Sequence, residues 1–184
     1  MLYHCVGPEV VWPMSVECQI QEGDTGDLLT IRTRVRSTAD PDKEINIEER
    51  LSHYKEGGTE ITQGKRGRIA RVVKDGTHEV DGWNKVEVIV KGDRAVHIVN
   101  GHVNNRCTQM QMPDPQDPDK WVPLTKGRIV FQAEGAEIFY RNIEIKQLSP
   151  DGPPAGPDKV IITDPALAGP DYDVQGEYVG QSAG

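Results

Sequence analysis

The residues with the chemistry to do work cluster in two short polar alternations. In the first, Glu17, Gln19 and Gln21 alternate with Val16, Cys18 and Ile20. A strand turns successive side chains to opposite faces, so a carboxylate and two amides would line one face if the apolar set packs inward. In the second, Gln132 and Glu134 alternate with Phe131 and Ala133. A carboxylate can act as a general base, and amides orient hydroxyl groups, so a cleft carrying both suits a polyhydroxylated ligand. The plain alternative is the solvated face of any antiparallel sheet, where polar residues alternate by default.

Other clusters carry less. His53, His78, His97 and His102 have no metal-ligand spacing, and the acidic run Asp114 to Asp119 lacks the glycine and terminal glutamate of a calcium loop. Cys5, Cys18 and Cys107 form no CxxC pair, which removes zinc-ribbon and dithiol readings. Cys18 and Cys107 read as small buried hydrophobes. Arg32, Arg34 and Arg36 form a basic stripe among acidic neighbours and read as a solvated face.

Strands must position these groups. Val86, Val88 and Val90 alternate in KVEVIV, and a turn at Gly92-Asp93-Arg94 leads to a second strand at Val96 to Val99. Asn100-Gly101 then supplies the positive φ of a two-residue turn, so residues 85–109 predict a three-stranded meander. Ile31, Thr33 and Val35 alternate with the three arginines, and 45–53, 67–74, 127–134 and 136–147 also read as strands. The stretch Ile47 to Tyr54 has no clean helical stripe. Many short strands with frequent turns predict an all-β sandwich or barrel.

The chain has 184 residues, 36% of them hydrophobic, with 13 Pro, 19 Gly and a net charge of -8. That charge argues against nucleic acid and against anionic membranes as partners. No apolar run approaches the ~18 residues of a membrane span. From Ser149 to Pro170 the composition turns Pro/Gly-rich and reads as a linker. Residues 171–184 read as a tail or the start of a further module.

Three segments carry a family resemblance: LYHCVGPEVVWPMSVECQIQEGDTGD (2–27), GWNKVEVIVKGDRAVHIVNGHVNN (82–105) and GRIVFQAEGAEIFYRNIEIKQL (127–148). Together they resemble the 3-keto-disaccharide hydrolase family, also described as a 3-keto-glucoside lyase / 3-keto-2-hydroxyglucal hydratase domain. The resemblance implies an antiparallel jelly roll of the concanavalin A-like lectin/glucanase type over 1–148. It implies action on 3-keto-glycosides by C2-proton abstraction, elimination and hydration, with an oligosaccharide or 3-keto-glycoside as ligand. It places Glu17, Glu134, Gln19 and His4 as catalytic candidates, and Tyr3, Trp12, Gln21 and Gln132 as substrate-binding candidates. A divalent metal on the carboxylates is a further candidate; no cofactor is certain. The E-x-D-x-x-E strand of laminarinases is absent, since positions 19 and 22 hold Gln19 and Glu22. The alternatives are a non-catalytic carbohydrate-binding module and a structural segment of a larger secreted protein. Relatives carry further strands before the position of Met1 and often a secretion signal, which Met1 to Cys5 do not resemble. The expectation is therefore a jelly roll entered partway, from a periplasmic or extracellular parent with possible further domains.

Overall fold

A computed structural model describes residues 1–43, 51–65, 68–76 and 78–148. The chain divides into two units, Met1–Phe131 and Gln132–Gly184. Among the described residues there is no helix.

Among its described residues the first unit holds twelve strands: β1 (Leu2–Val6), β2 (Met14–Cys18), β3 (Leu28–Ile31), β4 (Arg34–Ala39), β5 (Leu51–His53), β6 (Thr59–Gln63), β7 (Ile69–Val73), β8 (Val86–Lys91), β9 (Arg94–Val99), β10 (His102–Pro113), β11 (Trp121–Pro123) and β12 (Arg128–Val130). They form two sheets. One runs β12-β1-β2-β3-β7-β5; the other runs β6-β4-β10-β9-β8, with β11 on β10. Every pairing is antiparallel except β5 with β7.

The sheets share one core. Tyr3, Val16, Cys18, Leu28 and Val72 from the first meet Val35, Ala95, Cys107 and Met110 from the second, with Leu124 and Tyr54 at the margins. The period of two builds this layer: on β8, Val86, Val88 and Val90 pack against the core while Ile89 stays exposed. The result is a mostly antiparallel β-sandwich, one of the two outcomes the pattern of short strands predicts, and consistent with the jelly roll the resemblance implies.

The meander forms as expected. β8 and β9 pair from Val86↔Val99 to Lys91↔Arg94 around Gly92-Asp93, with Gly92 at φ 57°. β9 and β10 turn through Asn100 and Gly101, at φ 49° and 84°. Positive φ at both central residues gives a turn whose twist matches the strands.

Two strand expectations change. The alternation from Ile31 to Arg36 is not one strand. Arg32 takes a left-handed φ of 58°, and the chain crosses there from β3 in one sheet to β4 in the other. Ile31 therefore packs on the outside of the first sheet and Val35 in the interlayer core. The region 136–147 forms no strand, and the predicted strand 127–134 shrinks to Arg128–Val130. Alternating side chains alone do not make a strand; the backbone N–H and C=O groups need a partner ladder. Within the second unit, Gly135 has φ 70° and the Tyr140 hydroxyl donates to the Gln132 carbonyl at 2.7 Å. Most of the predicted strand at 45–53, the linker at 149–170 and the tail at 171–184 lie outside the described residues.

The arginine stripe is engaged rather than merely solvated. Arg34 stacks 4.3 Å over Trp121 and donates to Gln111 at 2.6 Å, and Arg36 pairs with Glu60 at 2.8 Å. The acidic run closes on itself: Asp114 and Asp117 accept the Gln116 and Asp119 amides at 2.8 and 3.2 Å.

Candidate functional site

The site candidate is the face of the first sheet turned away from the second. Register places one row across it: Val130, Leu2, Glu17, Leu29, Arg71 and Leu51 are direct cross-strand neighbours on β12, β1, β2, β3, β7 and β5. Direct neighbours share a face. Val16 and Cys18 face the interlayer core, so Glu17 faces away from it. Even so, Glu17 is only 3% exposed. A carboxylate withdrawn from water on a partly apolar row meets little competition from solvent, the setting a catalytic base requires.

Around Glu17 the face has an apolar side and a polar side. Leu2, Cys5 and Ile31 form a small cluster there, with Trp12 and Val130 packed against it. Past Cys18, Gln19 keeps one more rung, its amide donating to the Asp27 carbonyl at 2.9 Å. Gln19 and Asp27 thus stay in register with Glu17 and Leu29. Asp27 is buried and accepts from Arg71 Nε and Nη2 at 3.0 and 2.6 Å and from the Lys74 amide at 2.9 Å. Arg71 also reaches Asp24 at 2.6 Å. Burial raises the Asp27 pKa, opposed by the Lys74 amide and Arg71.

Of the sequence candidates, Glu17, Gln19 and Trp12 share this face. Gln19 Oε1 accepts from the Ile20 amide at 3.0 Å, leaving its Nε2 to donate. Gln21 does not join them. The strand has ended by then, and Gln21 is exposed in a turn where its carbonyl accepts from Thr25.

Tyr3 also changes place. It pairs with Val16, so the alternation sends it into the interlayer core, where its hydroxyl lies 2.9 Å from His97 Nε2. His4 sits in a bulge at φ 52°, where the register with β2 slips. The extra residue lets Cys5 rejoin the face of Leu2. His4 Nδ1 lies 3.2 Å from the Leu124 carbonyl, which can only accept, so Nδ1 carries the proton. Burial lowers the His4 pKa. A neutral ring with a protonated Nδ1 offers Nε2 as an acceptor. Gln132 and Glu134 belong to the second unit, where Glu134 is exposed.

The sequence reading missed Asp27, Arg71 and Asp24. Their signal was present only as spacing, since Asp27 continues the odd positions of Leu29 and Ile31, while Arg71 sits between inward Ala70 and Val72. It also missed a buried network. His97 Nδ1 donates to the Gly26 carbonyl at 3.1 Å, which also accepts from Asn105 Nδ2 at 3.2 Å. Its Nε2 therefore accepts from Tyr3.

Among the described residues, no three His, Cys, Asp or Glu side chains are grouped as a metal ion would require. No helix among them is long and apolar enough to cross a membrane. Cys5, Cys18 and Cys107 are free and buried.

Comparison with curated proteins and with solved structures gives no match. A family model, the 3-keto-alpha-glucoside-1,2-lyase-like domain, matches residues 1–146. Matched over most of its length and folded as the antiparallel sandwich its motifs imply, this chain belongs to the 3-keto-alpha-glucoside-1,2-lyase-like domain family, a carbohydrate-active one.

Proposed function

We propose that this domain cleaves 3-keto-glycosides by elimination and hydration, with Glu17 as the base. The observation that carries the reading is Glu17 itself, a buried carboxylate on a cross-strand row that otherwise holds leucine, valine and one arginine.

A ketone at C3 acidifies the C2–H bond. Glu17 takes that proton, and the electron pair forms an enolate whose negative oxygen needs a donor. Gln19 Nε2 and the Arg71 guanidinium are the nearest candidates by register; Arg71 lies two strands from Glu17, about 10 Å of sheet. The enolate collapses, the C1–O bond breaks, and the leaving oxygen takes up a proton. Water then adds across C1=C2, the hydroxyl to C1 and the proton to C2. Net glycosidic cleavage follows without a pair of carboxylates flanking the scissile bond. We also assign this protein to the periplasm or the extracellular space.

The test is turnover of a 3-keto-glucoside, followed by free sugar release with and without chelator. Glu17→Gln is expected to lower kcat by at least about 100-fold, the usual contribution of a general base, while leaving substrate Kd within a few-fold. Full activity in that variant removes Glu17 from the mechanism. Binding of unoxidised oligosaccharides without turnover by the native chain identifies a carbohydrate-binding module instead.

A further inference from the structure

The loop between β1 and β2, residues 7–13, is held at both ends by arginines. Arg128 on β12 donates to the Gly7 carbonyl at 2.9 Å and pairs with Glu9 at 3.4 Å. Arg32, in the left-handed crossing after β3, donates to the Trp12 carbonyl. Between these anchors the loop turns its apolar side chains outward. Val10 is 50% exposed and Val11 76%. Single exposed hydrophobics are ordinary. Two adjacent β-branched residues beside a Trp, on a loop pinned at both ends, need a separate reason.

Position supplies one. Trp12 packs against the cluster of Leu2, Cys5 and Ile31, on the face that carries Glu17. At the loop end of that face, Ile69 is the cross-strand neighbour of Ile31 and is 42% exposed. From Met14 to Glu17 the strand covers about 10 Å. Beyond Glu17 come Gln19 and the Asp27–Arg71 pair. The face therefore runs from apolar to polar along β2, with the carboxylate between. A glycoside with an apolar aglycone has the same order: hydrocarbon, scissile bond, polyhydroxylated ring.

We propose that Val10, Val11 and Trp12 form an aglycone subsite, and that the preferred substrates are 3-keto-glycosides bearing an aryl or other apolar aglycone rather than a second sugar. This rests on the reading of Glu17 as the base of the same site. The two valines are specificity residues: their substitution changes which aglycone is favoured, not the chemistry at C2.

The experiment compares methyl and phenyl 3-keto-glucoside. Calorimetric Kd values are taken in the Glu17→Gln background, and turnover is measured in the native background. Each is repeated with Val10→Ser/Val11→Ser, and with Trp12→Phe as a milder second variant. With the native loop, phenyl is expected to bind about tenfold more tightly than methyl, the discrimination a small apolar pocket provides. The double serine variant should bring that ratio close to one. A ratio near one with the native loop, or a ratio the substitutions do not move, overturns the proposal. If the ratio behaves as expected but the native chain turns over neither glycoside, the subsite stands and the catalytic reading fails. If neither glycoside binds, both fail.

Discussion

At the residue scale, His97 is as informative as Glu17. It is fully buried, its Nδ1 donating to the Gly26 carbonyl and its Nε2 lying against the Tyr3 hydroxyl, and burial holds the ring neutral. Burial lowers its pKa from 6.5 to about 4. Above pH 6.5 neither the folded nor the unfolded chain protonates this ring, so its full contribution is present. Between 6.5 and about 4 the unfolded chain takes a proton that the folded chain refuses, and stability falls with pH. Below about 4 the loss is complete. At 1.36 kcal/mol per pKa unit, the gap is worth about 3 kcal/mol. Urea midpoints at pH 7 and pH 4.5 should therefore differ, and His97→Gln should give a flatter profile and lower stability at pH 7. An equally steep profile in the variant would assign the acid sensitivity to other groups. Burial pushes the thiol pKa values in the opposite direction: Cys5 to about 11, Cys18 and Cys107 to about 12. These cysteines act as packing, not as nucleophiles.

At the element scale, β1 is the strand on which the candidate site depends. It carries Leu2 to the outer face, Tyr3 to the core and His4 into a bulge, and it is flanked by β12 and β2. Gly127, just before β12, is what allows that approach. A Cβ there would lie 2.4 Å from the His4 carbonyl carbon and 2.7 Å from the Cys5 nitrogen. Those are backbone atoms and cannot rotate away. Gly127→Ala should therefore cost about 2–4 kcal/mol in a denaturant melt, as for other changes that force the backbone to shift. It should also lower turnover more than a surface substitution does, because the row of Leu2 and Glu17 is registered through β1. A melt within about 0.5 kcal/mol of the native chain would mean that β12 does not need so close a fit.

At the scale of the whole molecule, one interlayer core serves both sheets, and a smaller apolar cluster sits on the outer face. Among the described residues, every member of either cluster lies between Met1 and Val130. Removal of residues 149–184, which the sequence reads as a Pro/Gly-rich linker and tail with few apolar residues, should leave the melting temperature within about 2 °C, since such a composition has little apolar surface to bury. A drop of 10 °C or more would show that the C-terminal residues belong to the folded domain.

Much of this was legible in the chain. The valines of β8 and the Asn100-Gly101 turn specified a meander because period and turn chemistry are local properties. The alternation around Glu17 separated inward Val16 and Cys18 from outward Glu17, and failed at Gln21, where the strand has ended. Tertiary structure alone decided three things. It broke the even alternation of Ile31 to Arg36 at Arg32, because a sandwich must pass its chain between layers and periodicity does not mark where. It sent Tyr3 inward and left His4 in a bulge, because a one-residue slip in pairing reverses which face a side chain meets. It brought Arg71 and Asp27 together from 44 positions apart, because cross-strand partnership depends on sheet order, which no local pattern encodes.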